Sequence, residues 1–252
     1  CYRVGVLPRF TLCPYTTLFR ATGPHSDGWG IAFYAGKGIR SFHEPDPSAQ
    51  SHLCEFVQGF PIKSETVVAH IRQANSGAVA LQNTHPFIRE LWGEYWVFAH
   101  NGEMPDVKQR ALKFYRPVGE SDSEHVFCWL LDQVRSRFPQ RPNNEPVLWE
   151  YIAHLMSDLR DLGISNFLLS DSHCLMSFCD TQLCRLTRQA PFGEAHLIDD
   201  AVAVNFANEA ADDDIVTVIA TEPLTSDEHW IEYQSGEFIV LKVGEIVYQY
   251  CP

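Results

Sequence analysis

Residue 1 is a cysteine. At the head of a mature chain a cysteine carries a thiol and a free α-amine, and an α-amine, with a reference pKa of about 7.7–8.0, is partly a neutral base near neutral pH. A thiol beside its own base is an activated nucleophile; the other reading of Cys1 is a fragment that happens to begin there. His70-Ile71-Arg72-Gln73-Ala74-Asn75-Ser76-Gly77 reads as a strand running into a polar, glycine-ended turn. An arginine at a strand end offers a planar two-donor fork to a carboxylate, or is simply a surface charge. His100-Asn101-Gly102 closes an aromatic strand. There the Asn101 amide and the Gly102 N–H suit a developing oxyanion, and the same dipeptide equally suits a plain hairpin turn. Gly119-Glu120-Ser121-Asp122-Ser123-Glu124 puts a carboxylate at a helix start, where Asp122 serves a ligand or only the cap.

These residues need a scaffold to bring them together. Strand signals stand at 67–71, 95–100, 167–169, 175–178, 215–220, 237–241 and 246–248, in β-branched and aromatic runs. Two helices are predicted. One spans about 122–137, with Val126, Phe127, Leu130, Leu131 and Val134 at helical spacing and a Ser121/Glu124 capping box. The other spans about 146–162, with Leu148, Ile152, Leu155, Met156 and Leu159 on one face and Gly163 as its stop. Phe138 to Asn144 is a loop rich in Pro and Asn. Strands, then two helices, then strands predict one α+β domain over residues 1–252.

Composition narrows the function. The 252 residues are 45% hydrophobic and 20% charged, which suits a globular core. The net charge of −13 disfavours a phosphate backbone as partner, and the sparse Arg135, Arg137 and Arg141 make no basic patch. No apolar run is long enough for a bilayer and no signal peptide is read, so neither nucleic acid nor membrane is expected as a partner and a cytoplasmic location is. None of the eight cysteines forms C-x-x-C, and Cys174, Cys179 and Cys184 read as packed thiols. With no histidine pair at zinc spacing and no glycine-rich phosphate loop, no metal, nucleotide or flavin cofactor is expected.

Six short motifs stand in a telling order: Cys1, the Gly28-Trp29-Gly30 loop, His70-x-Arg72-x-Ala74-Asn75, Asn83-Thr84-His85-Pro86-Phe87, His100-Asn101-Gly102 and Ser121-Asp122-Ser123-Glu124. Together they resemble the class II glutamine amidotransferases, which are N-terminal-nucleophile hydrolases. Gly23 to Gly30, Arg116 to Glu120 and Ile219 to Thr225 are similar to stretches of the stand-alone YafJ type. The resemblance runs from about Gly23 to near the C-terminus, whereas Leu7 to Ala21 departs from the pattern.

The resemblance implies a four-layer αββα sandwich in which the two helices are neighbours on one sheet. It implies that Cys1 attacks the side-chain amide of glutamine while its α-amine takes the proton, directly or through a water. Asn101 and Gly102 would hold the oxyanion. Arg72 would pair with the substrate α-carboxylate and Asp122 with its α-ammonium, while His85 and Asn75 line the pocket less directly. Glutamine is then the substrate, and a separate subunit would accept the ammonia where the enzyme is not simply a hydrolase. Two other functions stay open: hydrolysis of another γ-glutamyl amide or peptide, and an inactive module that binds glutamine or a partner protein.

Overall fold

The computed structural model describes residues 2–6, 27–60, 62–73, 78–198, 203–205 and 214–251. Cys1, Asn75 and the atypical stretch 7–21 lie outside the described residues. Two antiparallel sheets organise the chain. The first has the order β13-β9-β12-β1-β4-β2-β3. Its strands are β1 (Tyr2–Val6), β2 (Trp29–Ala35), β3 (Gly38–Glu44), β4 (Thr66–Ile71), β9 (Cys184–Gln189), β12 (Ile215–Ala220) and β13 (Ile231–Glu232). The second has the order β15-β14-β8-β7-β6-β5. It is built from β5 (Phe87–Leu91), β6 (Glu94–Asn101), β7 (Asn166–Ser170), β8 (Leu175–Phe178), β14 (Phe238–Lys242) and β15 (Glu245–Tyr250). A small separate pair, β10 (Glu194–His196) with β11 (Ala203–Asn205), completes the strands among the described residues. Three α-helices are present among them: α1 (His52–Gln58), α2 (Asp122–Arg137) and α3 (Glu145–Leu159).

The two-residue period of a strand decides which side chain meets which layer. In β6, Trp96 and Phe98 point to α2 and α3, and Phe98 stacks on Phe127 at 5.2 Å. The alternate residues Val97 and Ala99 point to the other sheet, where they meet Ala32, Val68 and Ile219. The first sheet's far face buries Trp29, Ile31, Phe33, Val67 and Val218 against Cys54 and Val57 of α1. A strand such as β4 is therefore buried on both faces, which is why Val67-Val68-Ala69 reads as an uninterrupted apolar run.

Both expected long helices form, and both lie in the core cluster that covers one sheet. Ser121 caps α2 by accepting from Ser123 N–H, with Asp122 and Glu124 in the first turn and Arg135 and Arg137 in the last, the signs a helix dipole favours. The capping box is only half made. Glu124 does not reach back to Ser121; it accepts from Val118 N–H and Gly119 N–H and pairs with Arg89. The second helix ends at Leu159, followed by a short 3-10 turn over Arg160–Leu162. Asn101-Gly102 is no hairpin turn either: β6 pairs next with β7, and both helices lie in the connection between them. Trp29 and Gly30, read as part of a loop, are the first residues of β2.

Candidate active site

A cleft of about 300 Å³ opens where β4, β6 and β12 end. From β4 and the residues after it come His70, Arg72 and Gln73; from the end of β6 and beyond, His100, Asn101, Gly102 and Glu103. The start of α2 adds Ser121, Asp122 and Ser123, and Thr221 follows β12. The cleft thus gathers Arg72, His85, Asn101, Gly102 and Asp122 from distant parts of the sequence. β1 runs antiparallel to β4 with Tyr2 opposite His70, so its first described residue stands at the cleft end of the sheet.

Arg72 is 4% exposed. Its backbone continues the β4 edge, donating to Gly28 O at 2.8 Å and accepting from Asp27 N–H at 3.2 Å. Its Nη1 donates to Asp27 O and Ala78 O at 3.4 and 3.3 Å. Burial pulls its pKa below the ordinary value, and Asp27 and Asp122 act against that pull. Asp122 sits across the cleft as the first residue of α2. Its Oδ2 accepts from Met104 N–H at 2.7 Å and its Oδ1 from Ser123 N–H at 2.8 Å. An opposed cation and anion in one cleft suit a zwitterion, because each end of the ligand meets its complement.

Asn101 ends β6 at the cleft rim and Gly102 follows it. A Cβ on Gly102 would collide with the Ile164 carbonyl, and its φ of 153° is one that side chains rarely adopt. Gly163 answers from the facing segment: at φ 146° it packs against the Glu103 carbonyl, which accepts from Ile164 N–H at 3.1 Å. Two glycines therefore allow these backbones the close approach that fixes the turn after Asn101.

Three imidazoles back the cleft. The His70 and His85 rings pack at a tilt with centroids 4.3 Å apart, and His85 meets Phe87 at 4.6 Å. Burial pushes both well below the ordinary 6.5, with His85 adding to the effect on His70 and with His100 and Arg72 adding to that on His85. Burial also lowers His100, while the Ile164 carbonyl and Asp122 oppose it. Neutral His100 must carry its proton on Nε2, which lies 2.9 Å from Ile164 O, so Nδ1 accepts from Ser123 Oγ at 2.9 Å. His70, His100, Thr221 and Asn166 were not singled out from sequence as site residues. His70 and His100 open two of the recognised motifs, and that position is the signal that could have marked them.

The family described as glutamine amidotransferases class-II matches residues 4–252. YafJ of Escherichia coli (strain K12), a candidate glutamine amidotransferase, is 51% identical over 226 residues, which cover 90% of this chain and 89% of YafJ. A candidate glutamine amidotransferase of Haemophilus influenzae is 40% identical over 224 residues, covering 89% of this chain and 76% of its own length. Among solved structures, a predicted glutamine amidotransferase from Pseudomonas aeruginosa PA01 superposes with a TM-score of 0.78 at 46% identity, covering 98% of this chain and all (100%) of that one. The glutamine phosphoribosylpyrophosphate amidotransferase of B. subtilis shares the fold, with a TM-score of 0.64 at 14% identity over 99% of this chain and 49% of that chain.

Proposed function

The chain belongs to the class II glutamine amidotransferases, and on that premise we propose that it hydrolyses glutamine to glutamate and ammonia through a γ-glutamyl thioester on Cys1. The observation that carries the reading is the convergence of Arg72, Asp122, Asn101 and Gly102 on one cleft at the end of the sheet that holds β1. Arg72 binds the substrate α-carboxylate and Asp122 its α-ammonium. That leaves the side-chain amide to extend toward Asn101 and Gly102. The Cys1 sulfur forms a bond to the amide carbon, the carbonyl electron pair moves onto oxygen, and the α-amine takes the thiol proton. The Asn101 amide and Gly102 N–H receive the oxyanion. Collapse breaks the C–N bond, ammonia leaves with the proton held by the amine, and water then hydrolyses the thioester to glutamate. His85 lines the pocket wall, and the motif that carries Asn75 assigns that residue to substrate binding. The ammonia passes to a separate subunit or to solvent. The two facing sheets, with α2 and α3 on one side and the short α1 on the other, we read as an αββα sandwich of the N-terminal-nucleophile type.

Steady-state release of ammonia and glutamate tests this reading. Glutamine should turn over, and Cys1→Ala should abolish turnover in a folded protein. Arg72→Lys should raise KM roughly ten- to hundredfold, because an ammonium cannot reproduce a planar fork against a carboxylate. Faster glutamate release from γ-glutamyl peptides than from glutamine would move the assignment to a γ-glutamyl hydrolase. Normal turnover in Cys1→Ala would refute it.

A further inference from the structure

Among the recognised stretches, Ile219 to Thr225 has no role in the chemistry above. Its third residue, Thr221, follows the end of β12, is 7% exposed and lines the cleft. The alternation in β6 turns Asn101 away from the helices toward the facing sheet, and there Asn101 Nδ2 donates to Thr221 Oγ1 at 3.3 Å. The Asn101 backbone is gripped as well: its carbonyl accepts from Asn166 Nδ2 at 3.1 Å. The loop that carries Thr221 is fastened to its own sheet. Arg188 on β9 pairs with Glu228 through Nε at 2.6 Å, and Glu228 accepts from Thr225 Oγ1 at 2.7 Å.

An amide nitrogen carries two hydrogens. When Thr221 accepts one, the amide plane of Asn101 is set and the second N–H is left for the cleft. We propose that Thr221 is a positioning residue that orients the Asn101 amide toward the oxyanion. This rests on the glutamine reading. Because the tetrahedral state alone carries that charge, Thr221 acts on turnover and not on binding of the amino-acid head.

The test compares Thr221→Val, which keeps the shape and removes the acceptor, with Thr221→Ser, which restores it. Thr221→Ala serves where Val fails to fold. Three readouts are taken on the full chain: glutamine kinetics, affinity for glutamate, and affinity for the γ-aldehyde analogue of glutamine. The Cys1 thiol adds to that aldehyde carbon and its proton passes to the α-amine, giving a tetrahedral hemithioacetal whose oxygen carries the negative charge in the oxyanion position. Thr221→Val should lower kcat roughly ten- to hundredfold, less than outright loss of a donor, with KM within about twofold. Aldehyde affinity should fall by a similar factor, glutamate affinity should hold, and Thr221→Ser should behave as wild type. Unchanged kcat in Thr221→Val overturns the assignment, as does equal weakening of glutamate and aldehyde or a Thr221→Ser variant as impaired as Val. Aldehyde binding that survives Cys1→Ala would instead overturn the glutamine reading, and this assignment with it.

Discussion

At Asp122 both carboxylate oxygens are already engaged by the fold, one by Met104 N–H and the other by Ser123 N–H. The conservative change Asp122→Asn therefore does more than remove a charge. An asparagine has one acceptor oxygen, so its NH2 group must face one of those two backbone donors. We expect Asp122→Asn to keep its oxygen on Met104 N–H and turn its NH2 group to Ser123 N–H, which still has Ser121 Oγ as acceptor, so stability should fall by no more than about 1 kcal/mol while KM for glutamine rises. Denaturant unfolding and steady-state kinetics check the two effects separately. A much larger loss of stability would show that Met104 N–H is the donor left without an acceptor. Residue type and motif position singled out Arg72, Asn101, Gly102 and Asp122, which the fold brings to one cleft. They were not enough for Thr221, whose meaning comes from a partner across the two sheets, 120 positions away in sequence.

At the scale of elements, α2 does more than cover a sheet. Its buried carboxylates hold the long approach from β6: Asp122 takes Met104 N–H, Glu124 takes Val118 and Gly119 N–H, and Asp132 takes the N–H groups of Lys113, Phe114 and Tyr115. Periodicity made α2 and α3 legible because each runs four turns or so with one apolar stripe. Helix α1, at seven residues, is too short to show a period, and the half-exposed β3 mixes Arg40, Ser41 and His43 into its run. The junction of α3 with the second sheet rests on Arg141, which reaches Asp171 at 2.7 Å, Glu94 at 3.0 Å and Glu145 at 3.3 Å. Asp171 is fully buried and also accepts from His173 and Cys174 N–H at 3.1 Å. Arg141→Met should cost about 3–5 kcal/mol by stranding that carboxylate. Adding Asp171→Asn should recover part of the loss in denaturant titrations. A double variant no better than the single one would place the energy elsewhere.

For the molecule as a whole, the three cleft histidines tie stability to pH. Each has a folded pKa below the ordinary 6.5. Between the folded values and about 6.5 the unfolded chain binds more protons than the folded one, so stability is full above that pH and falls as pH drops. Each group contributes a slope of at most about 1.4 kcal/mol per pH unit. The exposed His196, raised by its bond to Asp227, acts in the opposite sense, giving up its contribution as pH rises. Burial makes the cleft group dominate, so Tm should fall steadily between about pH 7 and pH 5. His85→Asn should flatten the curve, and a wild-type Tm that is level over this range would contradict neutral burial. The place of β1 bears on how the protein is made. It lies between β4 and β12, and Arg3 stands opposite Ala69 on one side and Ala220 on the other. A ribosome adding about 5–20 residues per second supplies the first neighbour early and the second only after ten seconds or more. Throughout that interval one row of β1 backbone N–H and C=O groups stands open to any extended segment nearby. The strand at the cleft end of the first sheet is thus one whose second edge waits for a late partner during translation. How well β1 finds its second neighbour should therefore depend on the pace of elongation and on what shields the nascent edge.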